Sequence, residues 1–329
     1  MGQLWSLPSA KSDYVLLEDK PKVGMGRPLT KSFLAQIKNL CFAGGGVKGL
    51  AHLGALEAFV NKDPEFLSHI TGFSGTSAGA ILASLLACGM DLISLKTLVE
   101  VTDFSTFLDE SLASSPFHWL KDVYLVEHYE GACSGAAFYE FMGVHISDMT
   151  GSKDTTFQEL WDAKGIRLIL TVTDLRGRKA VHLDHVNHPD MPIRLAVRMS
   201  MSIPFVFRPV VYKDMVCVDG GLLDNMPLHV FDEWYAHHET LGLMLETPDE
   251  WYVDQGLPLP NALENPIGSI SAFGSSLIDT VQAAMRRNNF SPQDQARLVV
   301  IPVPDISVTT FSLSDGQKRA LLEAYKKSL

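Results

Sequence analysis

The sequence predicts an α/β fold in three layers, α/β/α, with a mostly parallel central sheet. The first observation is the order of elements after residue 38: strand, glycine loop, helix, strand, tight turn and helix. The second is the recurrence of short apolar strands along the rest of the chain. The third is size, since 329 residues, of which 46% are hydrophobic, suffice for one large α/β domain.

The first strand–helix units open the ordered part of the chain. Residues 39–43 form a short apolar strand, which the glycines of residues 44–49 interrupt. Apolar side chains then recur at helical spacing over residues 50–60. A second strand is predicted at residues 70–74, and the small apolar residues 78–88 predict a buried helix. This order indicates a sheet with helices on both faces.

The later elements alternate less regularly. Residues 92–165 are predicted to be mainly helical, with loops and an aromatic-rich stretch. Its aromatic residues are Phe104, Phe107, Phe117, Trp119, Tyr124 and Tyr129. Such rings pack in a core or form an interfacial lid, and the sequence leaves both open. Strands are predicted at residues 166–173, 210–212, 215–218 and 297–303, and an amphipathic helix at residues 315–327.

The chain is predicted to contain one domain and one extension. Residues 38–329 show no internal repeat and no linker, so we predict a continuous domain with an inserted helical subregion near 92–165. Residues 1–37 mix proline, glycine and charges with little periodicity. They predict an N-terminal extension that is flexible or cap-like.

Charge and cysteine content exclude several classes of function. The formal net charge of −11 does not suit binding to DNA or RNA, which requires a basic surface. The four cysteines form no CxxC pair, which predicts free thiols in a reducing compartment. No carboxylate cluster has calcium-loop spacing, so we expect neither a metal nor a cofactor.

The N-terminal residues carry patterns that predict where in the cell the protein is found. Residues 1–10 lack the basic and apolar segments of a secretory signal, and the longest apolar window, residues 80–90, is too short to span a bilayer. Gly2 and Ser6 fit the M-G-x-x-x-[ST] pattern for N-myristoylation. We therefore expect a cytoplasmic protein that contacts membranes peripherally, through an acyl group on Gly2 where a eukaryotic cell attaches one.

A nucleophile elbow is predicted between the second strand and the buried helix. Gly75, Ser77 and Gly79 form a G-x-S-x-G motif there. The turn is so sharp that flanking side chains must be tiny, and the serine hydroxyl then projects over the positive end of the following helix. The pentapeptide alone also fits an ordinary glycine-rich turn. The strand before it and the helix after it favour a catalytic serine.

The loop Gly44-Gly45-Gly46-Val47-Lys48-Gly49 also joins a strand to a helix. Its amides can point outward at the helix N-terminus and bind negative charge. A dinucleotide-binding loop of this pattern needs an acidic residue at the end of the next strand, about 20 residues on. That strand instead ends in the elbow, so we predict that all six residues belong to an oxyanion hole for acyl transfer. Lys48 also fits contact with a lipid phosphate or an ordinary surface position.

A third motif ends an apolar strand, where Asp219 is followed by a turn at Gly220 and Gly221. Asp-Gly turns are common, so the motif carries little weight on its own. It gains significance because Ser77 needs a general base. The histidines that follow it in the chain are His229, His237 and His238. They offer the Ser…Asp…His order of α/β-hydrolases as an alternative.

Together the motifs resemble the patatin-like phospholipase family. Residues 39–49 look like the opening of that family, residues 75–79 are similar to its nucleophile elbow, and residues 219–221 match its Asp-Gly-Gly/Ala block. Residues 171–175 resemble its middle strand, and residues 200–205 resemble the segment before its last catalytic block. Three ordered motifs are far more specific than any one of them.

The resemblance implies a serine lipid acyl hydrolase of the phospholipase A type that acts on membrane glycerolipids without a catalytic histidine. It makes Ser77 the nucleophile, Asp219 the base that takes and returns the serine proton, and residues 45–47 the oxyanion donors. Because a carboxylate is a weak base for a hydroxyl, such a dyad requires a desolvated site and a strongly held oxyanion.

Three alternatives remain compatible with the sequence. A histidine after Asp219 could serve as the base, as in α/β-hydrolases. The chain could be a non-catalytic lipid-binding or scaffold relative. An alcohol could replace water at the acyl-enzyme, which gives transacylation. A protein activator is compatible with each of them.

Overall fold

The computed structural model describes residues 30–109, 131–254, 270–307 and 310–325. Within them the strands are β1 (Asn39–Phe42), β2 (Gly72–Thr76), β3 (Gly131–Cys133), β4 (Arg167–Asp174), β5 (Lys179–Leu183), β6 (Phe205–Phe207), β7 (Val210–Tyr212), β8 (Met215–Asp219), β9 (Thr240–Glu246) and β10 (Leu298–Pro302). The α-helices are α1 (Lys31–Leu34), α2 (Ala51–Lys62), α3 (Ala78–Cys88), α4 (Leu92–Val101), α5 (Ala136–Thr150), α6 (Phe157–Lys164), α7 (Ile193–Ser200), α8 (Pro248–Asp254), α9 (Ile270–Asn289), α10 (Pro292–Gln295) and α11 (Asp315–Leu322).

The main sheet has eight strands in the described chain, in the order β10-β9-β1-β2-β4-β8-β7, with β5 also paired to β4. β10, β9, β1, β2 and β4 run parallel to one another. β5 and β8 run antiparallel to β4, and β7 runs antiparallel to β8. β3 and β6 form a separate parallel pair. The prediction of a mostly parallel central sheet is confirmed.

Apolar clusters cover both faces of this sheet. In β1, Leu40 and Phe42 join the main core, whereas Cys41 packs with Met226 and Leu298 in a smaller cluster. Successive residues of a strand point to opposite faces, so the two clusters lie on opposite sides of β1. This is the predicted three-layer arrangement, with helices flanking the sheet.

Residues 30–37 belong to the segment that the sequence predicted to be a flexible or cap-like extension, and they are packed against the domain. They contain α1, and Leu34 and Ile37 are fully buried in the main core. These two apolar side chains lie one helical turn apart, and their burial holds the segment against the domain. Packed structure therefore begins before Lys38. Residues 1–29, including Gly2, lie outside the described residues.

The helical subregion predicted near residues 92–165 contains α4, α5, α6 and the short strand β3. Phe107 is buried and packs edge-on against Phe138, with ring centres 5.2 Å apart. The aromatic residues Phe117, Trp119, Tyr124 and Tyr129 lie outside the described residues. Among the helices that the structure describes, none has the length and apolar character needed to cross a membrane.

Candidate active site

Ser77 occupies a sharp turn between β2 and α3. Its backbone has φ 54° and ψ −121°, a conformation that a residue with a side chain adopts only under strain. A side chain at Gly79 would overlap the carbonyl oxygen of Phe42, and one at Gly75 would overlap the carbonyl of Gly79. The turn therefore admits only glycine at both positions.

Strand pairing brings Asp219 to the level of Ser77. Thr76, the last residue of β2, pairs with Thr171, and Asp219, the last residue of β8, pairs with Val172 of the same strand β4. The backbones at these two positions therefore stand at one height, two strand spacings apart, and the Ser77 side chain, directed at the Asp219 carboxylate, lowers its pKa as a hydrogen-bond partner.

The environment of Asp219 makes it a stronger base than an exposed aspartate. Burial raises the pKa of Asp219 to about 6, although hydrogen bonds from the Ser77 side chain and the Gly221 amide lower it. The Gly221 amide donates to Asp219 Oδ1 at 2.7 Å. A carboxylate with this pKa is mostly ionised at neutral pH and is still able to accept a proton.

The loop of residues 44–49 passes directly beside Ser77. A Cβ on Gly44 would lie 3.1 Å from Ser77 Cβ, and one on Gly49 would lie 2.8 Å from Ala78 Cβ. Gly46 has φ 55° and begins a 3₁₀ turn, Gly46–Leu50. A left-handed φ costs glycine little, so the backbone can turn its amides toward the serine.

The amides of this loop differ in whether they already have an acceptor. The Gly44 amide donates to the Asn225 carbonyl at 3.2 Å, and the Lys48 amide donates to the carbonyl three residues before it at 3.1 Å. The amides that have no backbone acceptor in the described chain are those of Gly45, Gly46 and Val47. Gly49 lies within the 3₁₀ turn, where amides bond to preceding carbonyls. Of the six residues predicted to belong to an oxyanion hole, Gly45, Gly46 and Val47 therefore have amides that are available as donors, and these are the three that the family resemblance implied.

The segment after Asp219 contacts both the glycine loop and the elbow at Ser77. Asn225 Nδ2 donates to the Gly44 carbonyl at 3.2 Å, which adds to the backbone hydrogen bond between these two residues. Thr76 Oγ1 donates to the Asp224 carbonyl at 2.9 Å. The segment that follows Asp219, the elbow and the glycine loop are thus held to one another by hydrogen bonds.

The end of α7 holds both Ser77 and Asp219, a role that the sequence did not indicate. The Ser77 amide donates to Ser200 Oγ at 2.9 Å, and Ser200 Oγ donates to the Thr171 carbonyl at 2.6 Å. The Asp219 amide donates to the Ser202 carbonyl at 2.9 Å. Both serines are fully buried. The sequence offered one indication of this role, which is that Ser200 and Ser202 lie among apolar residues. A buried hydroxyl needs a hydrogen-bond partner, so such serines often hold neighbouring backbone groups.

An apolar pocket of about 930 Å³, partly open to solvent, lies beside Ser77. Its walls come from the glycine loop, α3, α4 and α5, and include Val47, Leu85, Leu98, Phe104, Phe107 and Phe138. Small-molecule sites are typically lined in this way, mostly by apolar side chains with a few polar groups. Phe104 and Phe107, from the aromatic-rich stretch, therefore form part of this pocket wall.

A smaller pocket of about 390 Å³ also borders Ser77. Its lining includes the polar residues Asp219, Asn225 and Gln282. Ser77 and Gly46 line both pockets. The serine hydroxyl and the free amides therefore stand at the junction of an apolar and a more polar compartment.

Lys48 and His52 lie outside this junction. Lys48 lines neither pocket and is 8% exposed. Burial acts to raise the pKa of Glu250, but Arg286 and Lys48 outweigh it and hold that pKa below its usual value. His52 is fully buried, its Nε2 lies 3.0 Å from the Ala43 carbonyl, and burial lowers its pKa to about 4.

The histidines after Asp219 also lie elsewhere. His229 contacts Asp224, His237 contacts Asp232, and His238 is exposed. Among the residues that the structure describes, no histidine lines either pocket at Ser77. Asp219 is the titratable group in contact with the serine hydroxyl.

Three known proteins have sequences similar to that of this chain. Uncharacterized protein R571 of Acanthamoeba polyphaga mimivirus is 31% identical to this chain, over 90% of the chain and 93% of its own length. Uncharacterized protein YqhO of Bacillus subtilis is 29% identical, over 87% and 94%. Probable lipid hydrolase 463L of invertebrate iridescent virus 6 is 25% identical, over 66% and 70%.

A solved structure and a family model agree with these relatives. VipD from Legionella pneumophila superposes with a TM-score of 0.57 at 17% identity, over 89% of this chain and 66% of VipD, which shows a common fold. The model of the family described as patatin-like phospholipase matches residues 40–232, a span that runs from β1 through the elbow and past Asp219. The motifs at both ends of that span and the sheet between them leave one assignment: the chain belongs to the patatin-like phospholipase family.

Proposed function

We propose that this chain is a lipid acyl hydrolase of the phospholipase A type, which cleaves fatty acyl esters of membrane glycerolipids through an acyl-enzyme on Ser77. The observation that carries the proposal is that Ser77, at the junction of two pockets, shares the smaller pocket with the buried Asp219 carboxylate, whose pKa the Ser77 side chain lowers. Acyl transfer needs a nucleophile, a base in contact with it and donors for the oxyanion.

In the acylation step, the Ser77 oxygen attacks the ester carbonyl carbon while its proton passes to Asp219. The carbonyl electrons move onto the carbonyl oxygen, which accepts hydrogen bonds from the amides of Gly45, Gly46 and Val47. Collapse of the tetrahedral intermediate breaks the bond to the lysolipid oxygen, which takes the proton from Asp219. The products of this step are a fatty acyl ester of Ser77 and a free lysolipid.

In the deacylation step, a water molecule replaces the lysolipid. Asp219 accepts one proton of the water, and the hydroxide oxygen attacks the acyl carbon. The second tetrahedral intermediate expels the Ser77 oxygen, which recovers its proton from Asp219. A fatty acid leaves and the enzyme returns to its starting state.

Burial and donor placement offset the weakness of the carboxylate base. The raised pKa of Asp219, about 6, brings it nearer to the operating pH, where a general base is most effective. The three amides of residues 45–47 have no backbone acceptor in the described chain, so they can bind the oxyanion without breaking a backbone hydrogen bond. This combination supports proton transfer to an aspartate without a histidine.

The pocket chemistry supports a lipid substrate. The apolar pocket suits the acyl chain, and the smaller pocket with Asn225 and Gln282 suits the glycerol side of the ester. Ile93 and Val101 on α4 are 79% and 75% exposed, while Leu98 of the same helix lines the apolar pocket. We expect this face of α4 to contact the bilayer from which the substrate comes.

Incubation with mixed phospholipid vesicles, followed by product mass analysis, tests the proposal. Wild type is expected to release fatty acid and lysophospholipid, and Ser77→Ala is expected to release none. Ser68→Ala is the matched control, because Ser68 is exposed and bonds only locally to Glu65. Hydrolysis by Ser77→Ala at the wild-type rate would refute the nucleophile.

A fluorophosphonate probe separates this proposal from its alternatives, because it labels only an activated serine. We expect labelling of wild type and Ser68→Ala, and none of Ser77→Ala. An unlabelled wild type would indicate a non-catalytic lipid-binding relative. Loss of activity in His229→Ala, His237→Ala or His238→Ala would instead favour a histidine base.

A further inference from the structure

Two histidines and one aspartate from separate segments meet beside the loop that follows Asp219. His182 lies on β5, Asp224 follows β8, and His229 lies in the short turn Leu228–Phe231. His182 Nε2 is 2.9 Å and His229 Nε2 is 3.9 Å from Asp224 Oδ2. The three ligand atoms lie within 4.8 Å of one another.

The Asp224 carboxylate has few groups to balance its charge. Its side chain is 9% exposed, and its ion-pair partners in the described chain are these two histidines, with neither lysine nor arginine. A largely buried carboxylate is costly unless a cation or several donors neutralise it. The remaining side of the cluster is open, since the His229 side chain is 62% exposed.

A second cluster of similar composition has the cation that the first one lacks. Asp232, His237 and Asp294 also approach one another. Arg297 pairs with Asp232 at 2.5 Å and with Asp294 at 2.6 Å. The guanidinium neutralises both carboxylates, so a metal ion at that cluster would meet a positive charge, and only the first cluster carries an inference.

We propose that His182, Asp224 and His229 bind a divalent transition metal, Zn²⁺, at a site apart from the candidate active site. Imidazole nitrogens and a carboxylate oxygen are ligands that Zn²⁺ takes, and three protein ligands leave one position for water. Ligands at about 2.0–2.2 Å from a tetrahedral metal lie roughly 3.4 Å apart. The two distances to Asp224, 2.9 and 3.9 Å, bracket that value, so small side-chain movements suffice.

The metal ion connects three segments that lie apart in the sequence. It joins β5, the loop after Asp219 and the turn Leu228–Phe231. The Asp224 carbonyl accepts from Thr76 beside Ser77, and the next residue, Asn225, bonds to the Gly44 carbonyl. A bound ion therefore stabilises the loop that contacts the candidate active site, without taking part in the proposed reaction.

Zinc titration of the full chain, purified without a histidine tag and stripped by a chelator, tests the inference. Calorimetry is expected to give one Zn²⁺ per chain, and Zn²⁺ is expected to raise the melting temperature by several degrees. His182→Gln and His229→Gln should each weaken binding at least about tenfold. His238→Gln, at an exposed histidine outside the cluster, is the matched control and should bind as wild type.

Two further measurements separate a site from loss of folding or surface binding. Co²⁺ should give the visible absorption of a tetrahedral nitrogen–oxygen site in wild type and not in Asp224→Asn. Hydrogen exchange of residues 220–229 should slow when Zn²⁺ is added. Equal Zn²⁺ affinity in wild type and both glutamine variants, or no Zn²⁺ binding by folded wild type, would overturn the inference. The outcome is independent of the hydrolase proposal, since none of these measurements depends on activity.

Discussion

The two halves of the candidate site are built in different ways. Ser77 and the loop of residues 44–49 belong to consecutive elements, and the conformation of the elbow depends on glycines two residues to either side. Asp219 lies far along the chain, and its position depends on the pairing of β8 with β4 and on the carbonyl of Ser202. The nucleophile turn is therefore a local property of the chain, whereas the base is a property of the whole fold.

Removing the base is expected to have the largest effect. Asp219→Asn keeps the shape of the side chain but cannot accept the serine proton, so kcat should fall on the order of 10³-fold. We expect the turn at Ser77 to keep its conformation, because the substitution changes no residue near Ser77 in the sequence. The measurement is single-turnover acylation with a soluble short-chain ester. Retention of more than a tenth of wild-type activity would contradict the role of Asp219.

The same variant should be more stable than wild type at high pH. The folded-state pKa of Asp219, about 6, exceeds its ordinary value of 3.8, so the buried carboxylate is harder to ionise in the folded protein than in the unfolded one. Stability therefore falls as pH rises from 3.8 to about 6, where the unfolded state has lost the proton that the folded state still holds, by up to about 3 kcal/mol in all. Asp219→Asn should gain most of that free energy of unfolding at pH 8 and nothing at pH 3. Denaturant unfolding at both pH values is the control for the kinetic result.

Removing one oxyanion donor tests the local half of the site. Val47→Pro deletes an amide hydrogen that has no backbone acceptor in the described chain, and it should lower kcat about 10²-fold with little change in KM. Val47→Ala keeps the amide and shortens the same pocket-lining side chain, so it is the matched control. Equal losses in the two variants would assign the effect to the pocket wall.

The difference between the halves also explains what the sequence could predict. Residues 39–88 contain strand, turn and helix signals side by side, and β1, β2, α2 and α3 lie where those signals indicated, within a few residues. Strand β9, which lies between β10 and β1, was missed although Leu241, Leu243 and Leu245 alternate along it, because Gly242 within the run weakens the strand signal. Helix α7 was also missed, and with it the bonds from Ser200 and Ser202.

Sequence patterns could not predict the contacts between segments that lie far apart in the chain. His182, Asp224 and His229 lie in segments with no common motif, and only the pairing of β5 with β4 brings His182 near the other two. The engagement of the Gly44 amide, within the predicted six-residue oxyanion loop, also depends on a distant segment. The Gly44 amide donates to the Asn225 carbonyl, and Asn225 lies far from the loop in the sequence, so the loop sequence alone does not predict this hydrogen bond.

The Ser200 hydroxyl connects the two halves, so its removal should have an intermediate effect. Ser200→Ala leaves the Ser77 amide and the Thr171 carbonyl without their buried partner, at a cost of about 1–3 kcal/mol. We expect kcat to fall about 10- to 100-fold while KM changes little, with partial rescue in Ser200→Thr. Ser84→Ala is the matched control, because the buried Ser84 hydroxyl has no hydrogen-bond partner. A loss of melting temperature in Ser200→Ala without a fall in kcat would limit Ser200 to a structural role.

The smallest expected effect is the pH dependence of wild-type kcat/KM. It tests directly whether the whole fold sets the properties of the base. Burial, a property of the whole fold, sets the pKa of Asp219 at about 6, and only the ionised carboxylate accepts the serine proton. The value of kcat/KM should therefore fall as pH drops through 6, to about a tenth of its plateau at pH 5. A carboxyl group ionises with almost no enthalpy, so the midpoint should stay nearly constant when temperature changes, whereas an imidazole midpoint would shift. A midpoint near 4 would mean that Asp219 is solvated in the working enzyme, and a temperature-dependent one would transfer the role of base to a histidine.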